Sequence, residues 1–163
     1  MARPLEDKPL RPTVLDRLIG NVGTHTSAGL SSGQSMAQLR QSVRRDLEDL
    51  LNTRWRCSSW PPNQEELEHS LVNYGIPDFT GANMGSHDDR EQFRMIIERA
   101  IKVFEPRFVS VKVTLIDNED KADRTLRFRI DAEVHAVPEP EPVVFDTSLE
   151  PISHRFRITK TDR

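Results

Sequence analysis

The chain has 163 residues, 36% of them hydrophobic and 30% charged, enough for one domain with a modest core and a tail and too apolar for a disordered chain. A formal net charge of -3 with no long basic run removes the source of counterion-release binding to nucleic acid, and no stretch approaches the roughly 20 apolar residues of a spanning helix. Cys57 is the only cysteine, so no intrachain disulfide forms, and Met1 to Pro12 lacks the apolar segment of a signal peptide, which leads to the expectation of a cytoplasmic protein without membrane insertion.

Pro4, Pro9 and Pro12 stand among charges in the first dozen residues, a composition that favours an extended arm. Thr13 is placed to cap a brief helix through Val14, Leu15, Leu18 and Ile19, which Gly20 and Gly23 would end. Residues 24–33 are rich in Ser, Gly and Thr and read as a linker. The division expected is therefore a flexible arm with a short amphipathic helix over 1–33 and a folded domain over 34–163.

The domain opens with a helix signal. Ser35 and Gln38 have capping-box spacing, and Met36, Leu39, Val43, Leu47 and Leu50 recur at helical intervals, with Arg40, Arg44, Arg45, Asp46, Glu48 and Asp49 on the other faces. A second helix is expected from Asn63, with Glu66 three residues on, Leu67, Leu71 and Tyr74 turned inward and Gly75 as its stop. Trp55 and Trp60 lie in the irregular loop between them. A third helix runs from Ser86 or His87 to Phe104 with an apolar stripe of Phe93, Ile96, Ile97, Ala100, Ile101 and Phe104, and Pro106 ends it.

From there the period changes to two. Val109, Val111, Val113 and Leu115 alternate with polar residues, and Leu126, Phe128, Ile130, Ala132, Val134 and Ala136 do so more regularly, so the two segments should pair as a hairpin around 117–123. Beyond the proline-punctuated Pro138 to Pro142, Val143 to Thr147 and Arg155 to Thr159 read as two further strands. The fold class expected is α+β, three main helices packed on a small antiparallel sheet of about four strands.

Pro106 disfavours the helical basin at Glu105, so the chain should turn extended there. In extended chain Glu105 and Arg107 point to the same side, about 6 to 7 Å apart. A carboxylate at the negative end of a helix dipole is unfavourable unless a cation offsets it, and Arg107 is that cation. Such a pair can tie helix to strand within one subunit or reach across to a partner's opposite charges; the residues alone leave both open.

Taken in order, Leu15-Asp16-Arg17-Leu18, the stretch SVRRDLEDLLNT at 42–53, NYGIPDF at 73–79, Phe104-Glu105-Pro106-Arg107, LRFRIDA at 126–132 and Val143-Val144-Phe145-Asp146-Thr147 resemble the TssE family of type VI secretion baseplate proteins, related to the lysozyme-like wedge proteins of contractile-tail phages. The resemblance implies a structural wedge subunit with TssF, TssG and TssK as neighbours and a TssB/TssC sheath polymerising from it. It assigns sheath interaction to Glu105, Pro106 and Arg107. Leu15, Asp16, Arg17 and Leu18, a short helix on a tether, fit a helix-in-groove contact with the TssF/TssG part of the wedge; folding back on the subunit's own core is the other reading.

Two further readings compete. A lysozyme-like muramidase needs two carboxyls about the cleaved bond, one held protonated; Glu105 with Asp131, or Asp78 with Asp88 or Asp89, are the candidates, but an adjacent guanidinium favours the ionised form of Glu105, the wrong direction for an acid. An unrelated interaction module is the other. His25, His69, His87, His135 and His154 have no metal-ligand spacing, Lys121 and Ala122 break an EF-hand pattern in the acidic 117–123 turn, and no glycine-rich phosphate loop occurs, so no cofactor, metal or catalytic residue is expected.

Overall fold

The computed structural model describes residues 32–55, 63–79, 86–118, 125–136, 139–150 and 153–160. The expected arm with Leu15, Asp16, Arg17 and Leu18, together with Cys57, Trp60 and most of the 117–123 turn, lies outside them.

Alternating side chains make four strands, β1 (Phe108–Ile116), β2 (Leu126–Val134), β3 (Glu141–Leu149) and β4 (Phe156–Lys160). They form one antiparallel sheet in the order β1-β2-β3-β4, each strand paired with the next in the chain. The alternation puts Val111, Val113, Phe128, Ile130, Phe145, Leu149, Phe156 and Ile158 on one buried face, and Lys112, Arg129, Asp131 and Asp146 on the other. Val109 has no partner in β2, because Phe108 pairs with Val134 and Ser110 with Glu133; this is a bulge.

β3 begins two residues before the expected strand and contains Pro142, opposite Glu133. The register explains why proline is tolerated. Glu150 N–H donates to the Arg155 carbonyl, so even-numbered residues of β3 direct their backbone groups toward β4 and odd-numbered ones toward β2. Pro142 therefore turns its nitrogen away from β2, where no β2–β3 ladder bond needs an N–H from it.

Among the described residues two α-helices cover the buried face, α1 (Ser32–Asn52) and α2 (His87–Phe104). α1 starts inside the expected linker, so Ser35 and Gln38 lie within the helix and not at its cap. Val43, Leu47, Leu50 and Leu51 of α1 meet Phe93, Ile97, Ala100 and Ile101 of α2 in a single core with the sheet. Phe93 and Phe156 lie 6.2 Å apart and Phe93 and Phe128 6.0 Å between ring centroids, so α2 spans the sheet from β2 to β4. Asp88 and Asp89 in its first turn and Lys102 in its last match its dipole.

The third expected helix is not formed among the described residues. Two 3-10 turns, Glu65–His69 and Leu71–Asn73, stand in its place. Ser70 between them is extended (φ -88°, ψ 161°) and breaks the helical hydrogen-bond series, and Gln64 makes no side-chain cap bond. Leu71, expected inward, is 87% exposed, while Asn73 is buried. Leu71 and Val72 are both exposed, and with no cap bond the segment buries too little for a helix of this length to hold.

The chain then returns beside the end of α1 through a bridge of Arg54 with Ile76. Ile76 N–H donates to the Thr53 carbonyl (3.0 Å), Trp55 N–H to that of Ile76 (3.1 Å), and the Trp55 indole N–H to that of Gly75 (2.8 Å). Gly75 sits at φ +111°, and a Cβ there would lie 2.4 Å from the Thr53 carbonyl oxygen. Only glycine satisfies both conditions. Gly75→Ala is expected to lower the unfolding free energy by at least about 2 kcal/mol, read as a reduced urea midpoint.

Candidate functional site

α2 ends where the sequence says it must. Glu105 N–H makes the last helical bond to the Ile101 carbonyl (2.9 Å), and Glu105 itself sits at φ -117°, ψ 81°, outside the helical basin. The chain does not become extended at once, however. Phe108 N–H donates to the Glu105 carbonyl (3.3 Å), closing a four-residue turn with Pro106 second, a position its fixed φ favours. β1 starts only at Phe108. The expected same-side placement of Glu105 and Arg107 is thus achieved by a turn and not by a strand. His135 N–H, at the end of β2, donates to the Arg107 carbonyl (2.8 Å) and anchors the turn to the sheet.

Glu105 is 5% exposed. Its carboxylate accepts from the Arg107 guanidinium in a two-pronged arrangement, Nε to Oε1 at 2.5 Å and Nη2 to Oε2, and Arg107 N–H also donates to Oε1 at 3.3 Å. The same guanidinium reaches α1, with Nη2 donating to Asp46 Oδ2 at 2.7 Å and Nη1 to Ser42 Oγ at 3.2 Å. Arg45 donates to the other Asp46 oxygen at 3.0 Å. Burial works against the Arg107 charge, but the hydrogen bonds and charges of Glu105 and Asp46 outweigh it and raise its proton affinity further. Arg107 therefore clips the α2–β1 turn to α1.

Tyr74 completes the cluster. Its ring meets Phe104 edge to face, centroids 5.3 Å apart. Its phenol is held above its ordinary pKa by burial and then by the negative charges of Asp49, Asp46 and Glu105. Three of the stretches quoted above, 42–53, 73–79 and 104–107, so converge on one place through Ser42, Asp46, Tyr74, Phe104, Glu105 and Arg107. Sequence reasoning had Glu105 and Arg107 but placed Asp46 only among the charged residues on the faces other than the apolar stripe. Its spacing of four from Ser42, on the helical face next to the apolar stripe, was the available signal.

The muramidase carboxyls do not assemble in this way. Asp131 lies on the outer face of the sheet, by its alternation with buried Ile130 and Ala132, whereas the Glu105 carboxylate is held on the helix side by Arg107. Asp78 sits near Arg54, whose guanidinium lies 4.5 Å from the centre of the Phe79 ring. No group of three His, Cys, Asp or Glu able to hold a metal occurs among the described residues, and none of their helices is long and apolar enough to cross a membrane. Trp55 is used for packing, through its bond to Gly75.

Residues 37–139 match the family model described as baseplate wedge protein gp25. The chain belongs to that family. The match takes in α1, the NYGIPDF segment, α2, the Glu-Pro-Arg turn and the hairpin of β1 and β2, and so contains every residue of the cluster. A comparison with curated proteins found no match. Family membership supports a structural role in a baseplate, and nothing found supports a glycosidase.

Two outcomes follow for this wedge-family site. Arg107→Ala strands the buried Glu105 carboxylate and is expected to cost about 3 kcal/mol, whereas Glu105→Ala leaves Arg107 with Asp46 and costs about 1 to 2 kcal/mol; urea unfolding of both variants reads the order. Tyr74 is the only tyrosine, so tyrosinate absorbance titrates it alone. In the folded chain its midpoint should lie above that of the urea-unfolded chain, which falls near the usual value of about 10. The proton is held more tightly in the folded state, so this contribution to stability is complete below that value and is lost as pH rises through the folded midpoint.

Proposed function

We propose that this chain is a TssE-type subunit of a type VI secretion baseplate wedge, acting in the cytoplasm, that connects the wedge to the contractile sheath and helps start its polymerisation. Family membership over 37–139 carries the reading. The buried, two-pronged pairing of Glu105 with Arg107 supports the part given to the Glu-Pro-Arg turn. Because that pair is satisfied inside the subunit, its contribution to sheath binding is to hold the start of β1 in place against α1. The TssB/TssC sheath meets the surface so positioned, and TssF, TssG and TssK surround the subunit in the wedge. Leu15, Asp16, Arg17 and Leu18 are assigned to docking on TssF/TssG.

Sheath assembly in cells with a labelled sheath subunit tests this. Sheaths should be lost on deletion of the protein and in the Glu105→Ala/Arg107→Ala double variant at normal fold and abundance. Normal sheaths in the deletion would reject the wedge reading, and normal sheaths in the double variant alone would move the sheath contact away from this turn.

A further inference from the structure

Four large apolar side chains are exposed among the described residues, Leu71, Val72, Met95 and Val109, and of these only Leu71 and Val72 are adjacent in the chain. Both are held outward on a bonded turn. Ser70 Oγ donates to the Leu67 carbonyl (2.9 Å), Asn73 N–H to that of Ser70 (3.0 Å) and Tyr74 N–H to that of Leu71 (3.3 Å). Behind the pair, Asn73 is buried and the Tyr74 ring packs on Phe104. Leu71 and Val72 thus form a small, fixed apolar contact surface.

One segment of the same chain has the complementary need. Val14, Leu15, Leu18 and Ile19 fall on one side of the short helix expected there, and a helix of that length holds only against a surface. The charges agree. Glu65, Glu66 and Glu68 precede the Leu71–Val72 turn, whereas Lys8, Arg11 and Arg17 flank the apolar row, with Asp16 the only acid between Lys8 and Gly20. Reach is sufficient as well. Tyr74 lies near Asp46 and Asp49, about 21 to 26 Å along α1 from its start at Ser32, and residues 20–31 can span up to about 40 Å. A tether of this length gives an effective concentration of about millimolar order, enough for a weak apolar contact to form and to be exchanged for a better one.

We propose that residues 14–19 cover Leu71 and Val72 of their own subunit, and that this contact masks the segment until the wedge takes it. The masking rests on the docking of Leu15, Asp16, Arg17 and Leu18 on TssF/TssG given above; the contact itself does not. The apolar row of the segment meets Leu71 and Val72, and its basic flank lies toward the acidic residues at 65–68. A free subunit so arranged keeps both apolar surfaces from other chains. A groove that binds the segment more tightly shifts the equilibrium and uncovers the turn.

Hydrogen exchange on the full chain tests the contact, with Leu71→Ser/Val72→Ser as the variant and the Phe128 and Ile130 amides as the check on its fold. The amides of 15–19 should exchange severalfold more slowly in the wild type than in the variant, at every protein concentration. Equal rates overturn the proposal, and protection that grows with concentration overturns it in favour of a second copy. A cross-link gives an independent reading should the variant fold poorly. On a Cys57→Ser background, Leu18→Cys/Val72→Cys should close an intramolecular disulfide under mild added oxidant severalfold faster than Leu18→Cys/Met95→Cys; equal rates again overturn the contact. Capture of purified TssF/TssG should rise severalfold in Leu71→Ser/Val72→Ser. Lost protection with capture unchanged or reduced overturns the masking, and capture by no form, wild type included, overturns the docking reading while the contact stands.

Discussion

A carboxylate cannot be buried at the negative end of a helix without a cation fixed beside it, and Glu105 is such a carboxylate. Much else in the molecule is arranged around that requirement. Pro106 stops α2 and starts the turn, the turn brings Arg107 back onto Glu105, and Arg107 spends its remaining donors on Ser42 and Asp46 of α1. One guanidinium therefore fixes the relative positions of both helices and the first strand. A lysine could neutralise Glu105, but its single ammonium could not reproduce the planar fork that serves two carboxylates and a hydroxyl at once.

The same economy governs the edges of the sheet. A four-stranded meander with two helices on one face has two borders, and polar side chains from the helices meet outward backbone groups on both, Asn52 at Phe156 and Arg94 and Glu98 at Val113. The helices thus do more than cover the core. Their polar flanks, which composition suggests are only solvated, carry residues that satisfy outward backbone groups of both edge strands.

The strands were legible because one face is buried and the other is not, so period-two alternation appears directly in 108–116 and 126–134. The start of β3 was hidden by Pro142, whose acceptability depends on its nitrogen facing away from β2, a fact of register that no local pattern contains. The segment 63–75 misled in the opposite direction: Asn63, Leu67, Leu71 and Tyr74 have helical spacing, but the extended Ser70 breaks it, and Leu71 finds nothing to pack on. At the cluster, Glu105 and Arg107 could be paired from sequence because they are two residues apart around a proline. Asp46 could not, because its partner is 61 residues away. Asn52 and Arg44 escaped notice for the same reason.

Those distant contacts bear on how the chain completes itself. Every strand of the sheet pairs with its neighbour in sequence, so the meander can be zipped up locally, one hairpin after the next. The first helix has no such convenience. Asn52 finds Phe156 across 104 residues and Arg44 finds Ile158 across 114. On a ribosome α1 emerges before the strands and can meet α2 first, but its contacts with β4 must wait until β4 has left the tunnel. The domain is in this sense a clasp whose two halves lie more than a hundred residues apart in the chain, and interruption before β4 leaves a formed hairpin and a helix only partly covered in place of a smaller version of the fold.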